Sequence, residues 1–91
     1  MIGSSKRKIL SLLLELEGRG VPLTKPSIVC YYLIAYEPDT YFTYESARRN
    51  VRRCLNTLAE EGYLNKHKLM NKRTMYSLTP SGVKLAKEIL A

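Results

Sequence analysis

The 91-residue chain has no tryptophan, a single phenylalanine, a single histidine and only two cysteines. Each shortage removes a class of function. Cys30 and Cys54 form no Cys-x-x-Cys pair and His67 stands alone, so the ligand spacings of a structural zinc site are missing. Both cysteines fall in helix-like segments among apolar neighbours, which predicts two buried free thiols. There is no glycine-rich phosphate loop, no nucleophile beside a histidine and no carboxylate pair framed by apolar residues, so neither an enzyme nor a cofactor is expected. No apolar run approaches the ~18 residues that span a bilayer. Lys6-Arg7-Lys8 followed by Ile9 to Leu14 faintly imitates a secretory leader, but Glu15 and Glu17 break the run and no small-residue cleavage site follows. These absences predict a cytoplasmic protein with no membrane partner.

Acids are scarce as well. Fifteen Lys and Arg stand against eight Asp and Glu, giving a formal charge of +7. A surplus of that size favours an anionic partner, nucleic acid ahead of an acidic membrane surface. The length allows one domain, residues 1–91, with a core of a few helices and a small sheet but no deep substrate cleft.

Ser4 and Ser5 are candidate caps for a first helix reaching about Glu17, with Gly18 and Gly20 as its stop. Its leucines run nearly all round the circumference, so cover is expected on more than one side, and a second copy of the chain would provide it. Val21-Pro22-Leu23 reads as a short edge strand. A second helix opens at Thr24 to Ser27 with Pro26 in its first turn, and Pro38 ends it. Residues 37–43 form a turn that directs Tyr41 and Phe42 inward. Thr43 caps a third helix, 44–61, that places Ala47, Val51, Cys54, Leu55 and Leu58 on one face and stops at Gly62. Two strands follow, 63–69 and 73–78, with Leu64, Tyr76 and Leu78 inward and a turn near Asn71. Thr79-Pro80 then starts a last helix to Leu90.

The order helix, strand, helix, helix, strand, strand, helix resembles a winged helix-turn-helix domain of the small archaeal and bacterial regulator type. It is an α+β architecture that is mainly α. The likeness is carried by Leu55-x-x-Leu58-x-x-x-Gly62-Tyr63-Leu64 and by Tyr76-Ser77-Leu78-Thr79-Pro80-Ser81-Gly82. The connection between the second and third helices is longer than the tight turn of a simple helix-turn-helix.

On a helical wheel Glu45, Arg49, Arg53 and Asn56 lie opposite the apolar face of the third helix, with Arg48 and Arg52 on the flank. Arginine suits base reading because its fork matches guanine O6 and N7. The resemblance implies that the N-terminal half of this helix enters the major groove, making Tyr44, Glu45, Ser46, Arg49, Asn50 and Arg53 the base-edge candidates. Arg48 and Arg52 are then phosphate contacts. Glu45 accepts from a cytosine amino group or orients Arg49 four residues on. Lys66, Lys68, Asn71, Lys72 and Arg73 form a wing on the backbone or in the minor groove, with His67 an exposed strand residue among them. Residues 44–73 hold eight bases against three acids, a surplus of five out of the total of seven. Lys6, Arg7 and Lys8 are a second cluster within reach of flanking phosphates.

The implied function is a transcriptional regulator, a repressor, that binds double-stranded DNA sequence-specifically. It would act as a homodimer through helices one and four, using Leu10, Leu12, Leu14, Leu85, Ile89 and Leu90, and no small-molecule effector is identifiable. The rivals are a non-specific chromatin protein, a protein-interaction module and, more weakly, an RNA binder.

Overall fold

Thr43 opens the longest helix because its hydroxyl oxygen accepts the Ser46 N–H at 3.1 Å, satisfying one of the donors a helix start leaves bare. The end is equally explicit. Gly62 takes φ +87°, a conformation costly for any residue with a Cβ, and this lets the Tyr63 N–H reach back to the Leu58 carbonyl at 2.9 Å. In the computed structural model, which describes residues 3–39 and 43–91, the elements are α1 (Ser4–Gly18), α2 (Pro26–Tyr36), α3 (Tyr44–Glu60), β1 (Leu64–Lys68), β2 (Thr74–Leu78) and α4 (Pro80–Leu90). Tyr41 and Phe42 lie outside the described residues.

The strands pair antiparallel, Leu64 opposite Leu78 and Lys68 opposite Thr74, and form a wing hinged on the body of the helices. The hinge explains both stretches of sequence that carry the family likeness. Thr79 caps α4 by accepting the Gly82 N–H at 3.0 Å, donates its hydroxyl to the Gly62 carbonyl at 2.7 Å, and donates its N–H to the Tyr63 carbonyl. Gly82 passes so close to the residue ahead of β1 that a Cβ built on it would collide with the Tyr63 carbonyl oxygen. The end of α3 and the start of α4 are therefore one joint, and a Cβ at position 82 would force its backbone apart.

The core is drawn from every helix and both strands, and its fully buried members include Ile9, Leu10, Val29, Leu33, Val51, Leu55 and Leu58. Each such side chain contributes about 1.5–3 kcal/mol through burial. The apolar circumference of α1 is covered by α4 on one side and α3 on the other. Leu10 is 0% exposed and Leu12 5%, so these two are core residues of a single chain and drop out of the expected dimer surface.

Three local expectations also change. Gly3 occupies the N-cap of α1 without a side-chain bond, and Ser4 and Ser5 are already helical. The edge strand at 21–23 reduces to one bridge at Thr24, whose N–H and carbonyl both pair with Tyr76 at 2.9 Å. Pro22 has no N–H to offer and the Val21 N–H is taken by the Leu16 carbonyl, so Thr24 is where pairing can begin. Lys25, not a hydroxyl residue, is the N-cap of α2 and supplies no capping bond.

Candidate nucleic-acid interface

Because the apolar residues of α3 repeat at three and four positions, its arginines are forced outward, where they divide between two surfaces. Arg49 and Arg53, one turn apart, border a shallow depression of about 320 Å³ with Glu45, Ser46 and Asn50. Arg52 turns the other way, into a cleft of about 640 Å³ between the start of α2, α3 and the wing. Among the described residues, Arg49, Arg52 and Arg53 have no ion-pair partner, and Arg48 has only Glu45 at 3.9 Å. The expected pairing of Glu45 with Arg49 is thus replaced by one three residues on, at a distance where little is gained on an exposed helix.

The cleft gathers cations from three elements that are distant in sequence: Lys25 ahead of α2, Arg52 on α3, and Lys66, Lys72 and Arg73 on the wing. No acid lines it. Pro26 and Ser27 bring the uncapped, positive end of α2 to the same wall, which adds to the attraction for anions. The floor is held by Asn56, whose Oδ1 accepts from the Tyr76 hydroxyl at 3.0 Å and from the Lys66 ammonium at 3.1 Å. Burial pushes the Tyr76 hydroxyl above its ordinary pKa, with Arg52 acting weakly in the other direction. Lys25, Ser27 and Tyr76 were not among the residues expected from sequence. A lysine-proline step at a helix start was the available sign for the first two.

Two expected contacts are redirected. Asn50 is half-buried and turned to α1, where its amide donates to Ser5 Oγ at 3.2 Å while Cys54 Sγ approaches its Oδ1 at 3.8 Å. Asn50 therefore braces α3 against α1 while also bordering the depression beside Arg49 and Arg53. His67 is also half-buried, its Nε2 2.8 Å from Ser77 Oγ across the hairpin, which corrects its expected exposure. Tyr44, Ser46 and Lys68 are exposed as the sequence suggested. Tyr44 packs on Tyr31 of α2 with ring centroids 5.3 Å apart, and Ser46 shares a 2.8 Å hydroxyl contact with Thr43.

The N-terminal basic cluster is largely consumed internally. Lys6 pairs with Glu61 at 2.8 Å and Lys8 pairs with Glu37, leaving Arg7 exposed. Arg7 and Lys8 stand on the rim of an apolar groove of about 880 Å³ between α1, α2 and α4, with Leu12, Leu14, Leu33, Tyr36, Ile89 and Leu90 along its walls. Sequence alone suggested no such concavity. Leu90 is 60% exposed and Tyr36 62%, an unusual degree for such side chains.

Both thiols are free and buried, as expected, and burial raises the pKa of each, with nearby cations opposing: Arg48 for Cys30, Lys6 and then Arg53 for Cys54. Among the described residues no helix is long and apolar enough to cross a membrane.

No protein-family model matches the chain, and neither does any curated protein. Among solved structures, a mutant of ZitR from Lactococcus lactis superposes with a TM-score of 0.67 at 21% identity, over 96% of this chain and 49% of that one. The chain thus spans about half the length of its structural neighbour. The likeness is one of fold: four helices and a two-stranded antiparallel wing, mainly helical, in the winged-helix arrangement.

Proposed function

We propose that this chain is a sequence-specific binder of double-stranded DNA acting in transcriptional regulation, as a repressor and a homodimer, with α3 in the major groove and the hairpin against the backbone or minor groove. The observation that carries this reading is the acid-free cleft between α2, α3 and the wing, with five cations and Arg49 and Arg53 on the neighbouring face of the same helix. Like charges held together repel unless an anion neutralises them, and regularly spaced phosphates do so while releasing counterions. Arg49 and Arg53, unpaired among the described residues, are the residues assigned to base edges, with Tyr44, Glu45 and Ser46 around them. Arg48, Arg52, Lys66, Lys68, Asn71, Lys72 and Arg73 are assigned to phosphates.

Dimerisation is proposed across the groove of α1 and α4, where Leu14, Leu85, Ile89 and Leu90 stay partly or largely exposed together with Tyr36. Of the charged side chains on its rim, Lys8 is paired with Glu37 and Glu15 with Arg19, so covering the groove buries mainly apolar surface. Two recognition helices about 34–36 Å apart would then read a palindromic site.

The cleft also favours a second reading, a DNA coat without sequence preference, since its cations fit phosphate better than bases. Selection from a random duplex pool, followed by competition against bulk DNA at fixed salt, separates the two. The proposed reading expects the selected site to win by ~10³ or more. Equal binding would favour the coat, and no duplex binding would remove both.

A further inference from the structure

The summit of the wing is apolar. Residues 69–73 are fastened by Leu69 N–H to the Arg73 carbonyl at 2.8 Å, Lys72 N–H to the Leu69 carbonyl at 3.1 Å, and Arg73 N–H to Asn71 Oδ1 at 3.2 Å. Lys72 adopts φ 63°, the left-handed value that closes the turn. What this fixed loop holds outward is Met70, fully exposed at 106%, with Leu69 beside it at 41%. Lys68, Lys72 and Arg73 surround them, all exposed. A fixed loop that presents an apolar side chain between cations suits a narrow anionic groove with an apolar floor.

We infer that Met70 is a minor-groove wedge: the wing tip enters the minor groove, the flanking cations rest on the two phosphate walls, and Met70 packs between sugars and base edges and opens a base step. The inference rests on the duplex-binding reading above. The minor groove is about 6 Å wide, too narrow for a helix but wide enough for an unbranched thioether chain. Apolar residues placed this way between cations part neighbouring bases and bend the duplex toward the major groove. The contact is with hydrocarbon and bases, not phosphate, so it releases no counterions.

That last point makes it testable. Met70→Ala and, for contrast, Arg73→Ala are titrated with a selected duplex over a range of salt, with donor and acceptor dyes on the duplex ends to report the bend. The Met70 and Arg73 side chains are both exposed, so both thermal unfolding curves should match the wild type. The wedge predicts that Met70→Ala binds about tenfold more weakly, with an unchanged salt slope and a smaller bend. Arg73→Ala should instead flatten the slope by about one and keep the bend. A Met70→Ala protein with wild-type affinity and bend overturns the wedge while leaving DNA binding intact. So does one whose only change is in self-association, which would assign the tip to a second copy. A wild-type chain that binds no duplex overturns the underlying reading, and the wedge with it.

Discussion

Asn56 of α3 and Tyr76 of β2 are joined by a 3.0 Å hydrogen bond that ties the proposed recognition helix to the wing, and Tyr76 is only 4% exposed. The same asparagine oxygen takes Lys66 from the other strand, so one acceptor on α3 engages both strands of the hairpin. Asn56→Ala leaves the tyrosine hydroxyl without its protein acceptor and should cost about 1–2 kcal/mol in denaturant unfolding. Tyr76→Phe removes donor and need together and should cost less. If the two variants unfold alike, the bond is not what holds the wing.

The joint between α3 and α4 makes a sharper prediction. Gly82→Ala would force a methyl group into the Tyr63 carbonyl, which is backbone and has little room to yield. Helix propensity alone would make alanine the better residue at this position by up to ~1 kcal/mol. Overpacking opposes that gain, and the net loss should be about 1–3 kcal/mol. A Gly82→Ala protein that melts at or above the wild-type temperature contradicts the joint.

The two arginine surfaces should respond differently to deletion. Arg49→Ala or Arg53→Ala is expected to cost ~1–3 kcal/mol on a selected duplex and to relax the preference at particular base pairs. Arg52→Ala and Lys25→Ala, which remove cleft cations, should weaken all sequences alike and lower the salt slope by about one each. Binding curves at several salt concentrations, on selected and scrambled duplexes, distinguish the two patterns.

Burial keeps both thiols protonated in the folded chain at a pH where the unfolded chain ionises them. The folded state therefore holds more protons above the unfolded thiol value of about 8.5, and stability falls as pH rises through that point. Below it the thiols add no pH dependence, and Tyr76 extends the decline at higher pH for the same reason. Urea midpoints at neutral and alkaline pH should differ in that direction. Cys54→Ala should reduce the drop, and the native thiols should react with a thiol reagent only as the chain unfolds.

Much of this fold was legible because its determinants are local. The Thr43 and Thr79 caps, the stop at Gly62 and the inward set Ala47, Val51, Cys54, Leu55 and Leu58 depend on residues within a few positions of one another. What escaped depends on partners far along the chain. Asn50 meets Ser5 of α1 and His67 meets Ser77, and neither contact leaves a mark in a helical wheel or a strand alternation. The cleft is half visible in the sequence: Arg52 and the wing cations follow once the resemblance places a wing beside the third helix. Lys25 and Ser27 join it only once α2 has packed beside α3. Surplus leucine on α1 predicts a second chain as cover, whereas α4, some 70 residues later, meets most of that need.

The account turns on whether guanidinium groups on α3 meet the duplex, and their own resonances report this most directly. Nitrogen-15 spectra of the arginine Nε–H groups, recorded as a selected duplex is added, should show the largest shifts at Arg49, Arg52 and Arg53, with Arg73 following. Arg7, on the rim of the groove between α1, α2 and α4, and Arg19, just past the end of α1, should stay where they are. If the shifts fall on Arg7 while the α3 arginines remain unmoved, the DNA-facing surface has been assigned to the wrong side of the molecule.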